Sequence, residues 1–330
     1  MTVFITGATG LIGSRLVRIL VSRGYAVRAL VRDTERAKRL ISDPVEFVTG
    51  DLNDPESLKT ALNGCRYLFH LAADYRLWVP DPEAMTGTNV EGTRMLMRQA
   101  LSAGVERIVY TSSVCVLSCN ADGTPVGEDV SSDVGDMISP YKKSKFLAEK
   151  VVMEMVRDEG LPAVIVNPST PVGPGDSRPT PTGTMILNTA RNGGMFYADT
   201  GLNVAHVDDI ALGHLLALEK GVVGRRYILG GDNLSLRELF AMTARLTHKP
   251  GPRFKVPQAV MFAAGLAGEL LARVGLIKNP VATLDSVRMA SKKMYYSSDR
   301  AEKELGYTHR PAEQAVRDAV HWFREQGMLR

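Results

Sequence analysis

The stretch "TVFITGATGLIGSRLVRILVSRGYAVRALVRD", residues 2–33, decides the fold. An apolar run (2–6) meets Gly7, Gly10 and Gly13. A segment follows with Leu11, Val17, Leu20 and Val21 at helical spacing, then a second apolar run (26–31). Glycines at GxxGxxG spacing satisfy three needs: a tight turn, bare backbone where a pyrophosphate approaches, and a close helix–strand contact. N–H groups at the start of the helix then face the phosphates along the helix dipole. Thr9, Leu11 and Ile12 lie in the same turn and are expected at the cofactor with the glycines. The strand–turn–helix–strand order turns a glycine triplet, modest evidence alone, into a dinucleotide-binding reading.

The alternation continues outward. Apolar runs at 45–49, 67–72, 107–112 and 163–167 are separated by segments of helical spacing, such as that of Met95, Leu96 and Leu101. Strands alternating with helices predict an α/β chain of Rossmann type: a doubly wound parallel sheet covered on both faces. The regularity breaks at "NPSTPVGPGDSRPTPTG" (167–183), too rich in proline and glycine for a central strand or helix. "RYILGG" (226–231) reads as a strand returning to the main sheet, and 235–247, 257–276 and 312–326 read as helices. The expected division is a dinucleotide-binding domain of 1–167 plus about 203–230, and a smaller substrate-binding domain of about 168–202 plus 231–330.

Bulk properties narrow the partners. The chain has 330 residues, 45% hydrophobic and 23% charged, with a net charge of +4 from scattered lysines and arginines, which gives no nucleic-acid surface. Cys65, Cys115 and Cys119 show no paired CxxC spacing, and the six histidines are scattered. Reduced thiols in a cytoplasmic protein, with no metal site, are expected. The apolar segment 259–277 contains Glu269, Arg273, Gly265 and Gly268, so it reads as a helix of the second domain rather than a membrane span. Peripheral contact with a membrane or partner stays open for it.

"SPYKKSKFLAEK" places Tyr141 and Lys145 four apart, on one face if the segment is helical. An ammonium beside a phenol favours the phenolate, and such a tyrosine can exchange a hydroxyl proton while a nicotinamide carries hydride. "YTSSVCVL" brings Ser112 and Ser113 to the end of the fifth strand, at the edge where cofactors bind in such sheets. The bland alternative makes Lys142, Lys143 and Lys145 the solvated face of a surface helix. His70 reads as a satisfied core histidine, Asp208 or Asp209 as a helix cap, and His206 as either a pocket group or a packed one.

In order, "TGATGLIG" (6–13), "GDLND" (50–54), "HLAA" (70–73), "NVEGT" (89–93), "YTSS" (110–113), "YKKSK" (141–145), "NPSTPVGP" (167–174), "HVDDIALGH" (206–214) and "SSDRAEKELGY" (297–307) resemble the extended branch of the short-chain dehydrogenase/reductase superfamily. That branch holds nucleotide-sugar epimerases, dehydratases and dihydroflavonol-4-reductase-like enzymes. Within it, "LAADYRLWVPDP" and "KKMYYSSDRAEKELGY" look most like the hopanoid-associated sugar epimerases of bacteria. The resemblance implies Tyr141 as acid/base, Lys145 on the nicotinamide ribose, and Ser113, with Ser112 as fallback, on the reacting oxygen. It further implies Asp51 and Leu52 at the adenine, Leu71, Ala72 and Ala73 beneath the pyrophosphate and ribose, and Pro168 and Ser169 flanking the nicotinamide, with Thr111 also at the cofactor. Asn89 would have a structural or water-holding role. Tyr75, Ser113, Thr170 and His206 are expected on the substrate side, with Thr170 where many sugar-nucleotide members carry asparagine.

In NAD-using epimerases of this branch the last residue of the second strand is acidic; here it is Val31. Arg32 can instead hold a 2′-phosphate bidentately and stack on adenine, while Asp33 suits the start of the next helix or a pair with Arg36. The implied cofactor is NADP(H) in preference to NAD(H). The expected activity is hydride transfer at a hydroxyl or keto carbon of a sugar or related small molecule. An epimerase and a net carbonyl reductase both fit, with a non-catalytic dinucleotide sensor or scaffold as the reading from another class. A homodimer is the expected assembly.

Overall fold

The computed structural model describes residues 1–74, 81–273, 276–277 and 283–329. Strand β1 (Thr2–Thr6) sends Val3 and Ile5 into one core and Phe4 into another. The same two-residue alternation recurs in β4 (Tyr67–His70), β5 (Arg107–Thr111) and β6 (Ala163–Pro168), where Phe69, Val109, Val164 and Val166 point one way and Leu68, Ile108 and Ile165 the other. A strand apolar on both faces is stable only with helices on both sides. That requirement explains runs with no polar alternation.

With β2 (Ala26–Val31), β3 (Val45–Thr49) and β10 (Arg226–Leu229), these strands form one parallel seven-stranded sheet in the order β10-β6-β5-β4-β1-β2-β3. Helices α1 (Leu11–Ser22) and α7 (Val207–Lys220) cover one face. On the other face lie α3 (Pro55–Leu62), α4 (Pro82–Ser102) and α5 (Pro140–Glu159). The short α2 (Thr34–Leu40) joins β2 to β3. Strand order reverses between β1 and β4, and there the carboxyl ends of the strands open a crevice. The expected strands 67–72 and 107–112 end early, at His70 and Thr111, so Leu71–Ala73 and Ser112–Ser113 leave the sheet at that crevice.

The second lobe is built on β9 (Gly201–His206), which pairs with β7 (Thr170–Val172), β11 (Asp232–Ser235) and β13 (Lys293–Met294). The expected division put most of β9 with the first domain. Its strand partners lie in the second sheet, while α7, which follows it directly, packs on α1. Helices α6 (Pro181–Asn192), α8 (Leu236–Thr247) and α12 (Ala312–Glu325) enclose a separate apolar core around Ile186, Leu239, Val316 and Phe323. Two-residue strands β8 (Phe196–Tyr197) and β12 (Phe254–Lys255) pair beside it. Helix α9 (Gln258–Arg273) packs on α10 (Leu284–Met289), and α11 (Asp299–Leu305) closes on β10 and α7.

Candidate functional site

The glycine turn is a backbone contact. Gly7 has φ +76°, and a Cβ on it would lie 2.7 Å from the Ala72 nitrogen. A Cβ on Gly13 would overlap the Gly7 carbonyl oxygen. The turn therefore admits no side chain at either place, and the loop 71–73 lies directly on Gly7. Gly10 caps α1 without a side-chain hydrogen bond, so the first-turn N–H groups face outward beside exposed Thr9 and half-buried Leu11 and Ile12. This cradle fits a pyrophosphate. From the second lobe, Gly175 faces the turn closely enough that a Cβ on it would touch Leu11, Ser14 and Arg15 at ordinary contact distance.

At the end of β2, Val31 is buried. Arg32 is exposed and forms no hydrogen bond or ion pair with any described residue. Asp33 accepts the Arg36 N–H at 2.9 Å and so caps α2, as its position suggested. Asp51 accepts both the backbone and side-chain amides of Asn53, at 2.9 and 3.0 Å, and Leu52 packs against Gly92 of α4. Ala72 N–H donates to the Thr6 hydroxyl at 3.2 Å. Tyr75 lies outside the described residues.

Ser113, Tyr141 and Lys145 meet at the carboxyl end of β5. Ser139 caps α5 and Pro140 begins it, which sets Tyr141 in the first turn and Lys145 one turn later. The Ser113 side chain stands close enough to the Tyr141 phenol to act against the rise in its pKa, and its hydroxyl accepts the Cys115 N–H at 3.2 Å. Lys142 and Lys145 are buried and only Lys143 is exposed, so the lysines are not a solvated face. Lys145 Nζ donates to the Thr111 carbonyl at 2.7 Å and lies 5.0 Å from the centre of the Tyr110 ring. Burial lowers its pKa to about 8.

One expectation is corrected here. Tyr141 was expected below its ordinary pKa, yet burial raises it, the nearby Cys115 adds to the rise, and the neighbouring Ser113 side chain opposes both. The physical reason is that desolvation favours the neutral phenol, while the Lys145 ammonium is directed to a carbonyl.

Thr111 also bonds His214 Nε2 through its hydroxyl at 3.0 Å. Ser112 and Ser169 are buried with hydroxyls that have no hydrogen-bond partner among the described residues, a feature suited to polar groups that meet a ligand. Pro168 ends β6, and Thr170 begins β7 half-buried. His206 does not offer a free ring nitrogen. Nδ1 accepts the Asp208 N–H at 3.0 Å, capping α7, and Nε2 meets Asp318 at 3.2 Å. It also takes the capping role expected of the aspartates: Asp208 pairs with Arg15, and Asp209 receives Arg310 at 2.6 and 2.8 Å. His70 is the satisfied core histidine expected, held between the hydroxyls of Thr6 and Thr93 at 2.7 and 3.0 Å. Asn89 is structural, joining Asp74 to Ser144 through bonds of 2.8 to 2.9 Å.

Sequence reasoning missed Glu149 and Asn167. Glu149 follows Lys145 by four residues on the same helix face, is 2% exposed, and receives Asn167 at 2.9 Å. Asn167 in turn donates to the Ser113 carbonyl at 3.1 Å. The i, i+4, i+8 spacing of Tyr141, Lys145 and Glu149 was the available signal. Among the described residues no cluster could hold a metal ion.

The chain is similar to known proteins along its whole length. The family model described as NAD dependent epimerase/dehydratase matches residues 3–230. A Synechocystis sp. protein, assigned provisionally by name to the dihydroflavonol 4-reductases, is 43% identical over 99% of this chain and 96% of its own. Sterol demethylase protein B of Methylococcus capsulatus is 35% identical over the whole of both chains. The crystal structure of gox2253 superposes with a TM-score of 0.89 at 49% identity, covering 100% of this chain and 99% of that one.

Proposed function

The chain belongs to the NAD dependent epimerase/dehydratase family, and from that premise we propose that it transfers hydride at a hydroxyl or keto carbon of a sugar or related compound, with Ser113, Tyr141 and Lys145 as its working triad. It is an NAD(P)-dependent oxidoreductase, as are its family and relatives. The observation that carries the finer reading is the gathering of three side chains at the sheet edge beside the glycine cradle: Ser113 next to the Tyr141 phenol, and Lys145 on the Thr111 carbonyl.

A bound nicotinamide dinucleotide would supply the hydride. Gly7, Gly10 and Gly13 would hold its pyrophosphate, Asp51 and Leu52 its adenine, and Lys145 its nicotinamide ribose, with Pro168 and Ser169 beside the ring. Ser113 orients the substrate oxygen. Tyr141 donates a proton to that oxygen as negative charge develops on it. A phenol at or above its ordinary pKa of about 10 is protonated at neutral pH, as the reductive direction requires of a donor. Arg32, exposed and unpaired among the described residues, supports NADPH, the cofactor a net reductase exchanges at each turnover. Tyr141→Phe should lower kcat by about 10²–10⁴-fold while leaving the Kd for NADPH within roughly twofold. Unchanged turnover on a substrate found by a carbonyl screen would overturn the assignment.

The second reading is a redox-neutral epimerase, favoured by the family's description. It predicts NAD+ retained through purification and no net consumption of NADPH.

A further inference from the structure

Ten of the sixteen exposed large apolar side chains among the described residues fall within 195–196 and 254–277. Scattered singly, such side chains need no explanation; gathered, they mark a surface made to be covered. Helix α9 is its centre, and its amphipathicity is inverted. Gly265 is buried, where a Cβ would come within 3.1 Å of the Thr283 backbone and Val287. Glu269, the helix's one acid, accepts the Leu284 N–H at 2.8 Å. Met261, Gly268 and Ala272 are half-buried on that same side. The outward side carries Val260, Phe262, Leu266 and Leu270, 45 to 57% exposed. A surface helix ordinarily turns its large apolar residues to the core and its polar ones to water.

The chain entering α9 supplies the charge. Lys249 and Arg253 are exposed and have no ion-pair partner among the described residues. Between them and the helix, exposed Phe254 packs on exposed Phe196, ring centroids 5.7 Å apart. Arg237 lies 6.0 Å from the Tyr197 ring centre on the paired strand. Four residues of extended chain span no more than about 14 Å, so the aromatic pair borders the first turn of α9. The chain carrying the cations runs beside the same segment: the Pro250 carbonyl, next to Lys249, accepts the Gly194 N–H at 3.1 Å, and the Arg253 N–H donates to the Met195 carbonyl at 2.9 Å. Lys255 alone in this group meets a carboxylate, Asp199 at 2.5 Å.

We propose that this face docks on an anionic lipid bilayer. Helix α9 lies in the interface plane with Phe262, Leu266 and Leu270 toward the acyl chains, and Lys249 and Arg253 against headgroup phosphates. Charge complementarity selects this occupant. A second copy in an isologous contact would match apolar to apolar but bring a second set of the same unpaired cations into the interface, with Asp199 already held by Lys255. No helix of the described residues is long and apolar enough to cross a membrane, so the contact is one of lying on it.

The test is co-sedimentation of the full chain with vesicles of phosphatidylcholine alone and of phosphatidylcholine mixed with phosphatidylglycerol, alongside sedimentation velocity without lipid. Binding should be confined largely to the mixed vesicles. It should fall about tenfold or more in K249Q/R253Q, since each cation near an anionic surface contributes about fivefold, and weaken as salt is raised. L266S/L270S should lose about as much. No binding, equal binding to both vesicle types, or binding unaltered in both variants would overturn the proposal. A concentration-dependent doubling of mass without lipid, abolished by L266S/L270S, would overturn it too by assigning the face to a second copy. Should L266S/L270S lose cooperative unfolding, K249Q/R253Q, whose side chains are exposed and remote from the packing of α9, decides alone. The assay needs no turnover, so it fails or succeeds separately from the redox reading.

Discussion

Arg32 shows how much chemistry one position can carry. Val31 ends β2 buried and cannot hydrogen-bond a ribose, whereas the next side chain is exposed with no partner among the described residues. A guanidinium left free at the rim of a dinucleotide crevice can give a phosphate two charge-assisted hydrogen bonds without first breaking an ion pair. Arg32→Ala should therefore weaken NADPH binding by about 10- to 100-fold, the loss of one or two such bonds, and leave NADH within about threefold. Titration calorimetry with both cofactors checks this, and equal weakening of the two would remove the 2′-phosphate from the explanation. At the same scale, His206 shows where reading residues one at a time stops. Nothing in "VAHVDDIALGH" indicates that Arg15, Arg310 and Asp318 will arrive from distant segments to take the two aspartates and the far ring nitrogen. Aspartates in the first turn still serve the helix dipole, while the imidazole does the capping.

Among the elements, the glycine turn is where local geometry and function coincide. A methyl group on Gly13 would overlap the Gly7 carbonyl, so α1 would have to move away from β1. Overpacking of this kind costs about 1–3 kcal/mol, and here the displaced atoms are the turn itself. Gly13→Ala should lower the urea midpoint accordingly and weaken cofactor binding by at least about tenfold, because the first-turn N–H groups shift with the helix. Destabilisation with unchanged cofactor affinity would separate the packing role from the binding one. This turn and all seven strands of the large sheet were legible in the sequence: the central strands because a strand buried on both faces must be apolar throughout, and half-exposed β3 at the edge because it falls in the same alternation with helices. The strands of the second lobe were not. Phe196–Tyr197 and Lys293–Met294 are two residues long, partly exposed, and defined by partners found far along the chain. Their formation depends on tertiary pairing rather than on any pattern of their own. The placement of Ser113 after a strand end and of Tyr141 and Lys145 on one helix face was legible; the direction of the tyrosine's pKa was not, because burial is a property of the assembled molecule.

For the whole molecule, the crevice is backed by buried polar groups whose protonation the fold restricts. His70 bridges the Thr6 and Thr93 hydroxyls beneath the glycine turn, and His214 fixes Thr111, whose carbonyl receives Lys145. Burial lowers their pKa values to about 3 and about 4, helped for His70 by the charge of Lys145. In the unfolded chain both titrate near their ordinary value of about 6.5. Between the folded and unfolded values the unfolded state binds more protons, so stability falls as pH drops below about 6.5 and rises back toward neutrality. At pH 5 the loss is about 2 kcal/mol for each histidine. Glu128 and Asp176, raised by burial, act in the opposite sense, but they are common to wild type and variants and cancel in the difference. His214→Asn should be less stable than wild type at pH 7, having lost its bond to Thr111, yet should lose about 2 kcal/mol less between pH 7 and pH 5. Urea unfolding at the two pH values measures that difference. Parallel losses in wild type and variant would mean that His214 takes up its proton in the folded state as readily as in the unfolded one, and that the Thr111–Lys145 support does not depend on its neutrality.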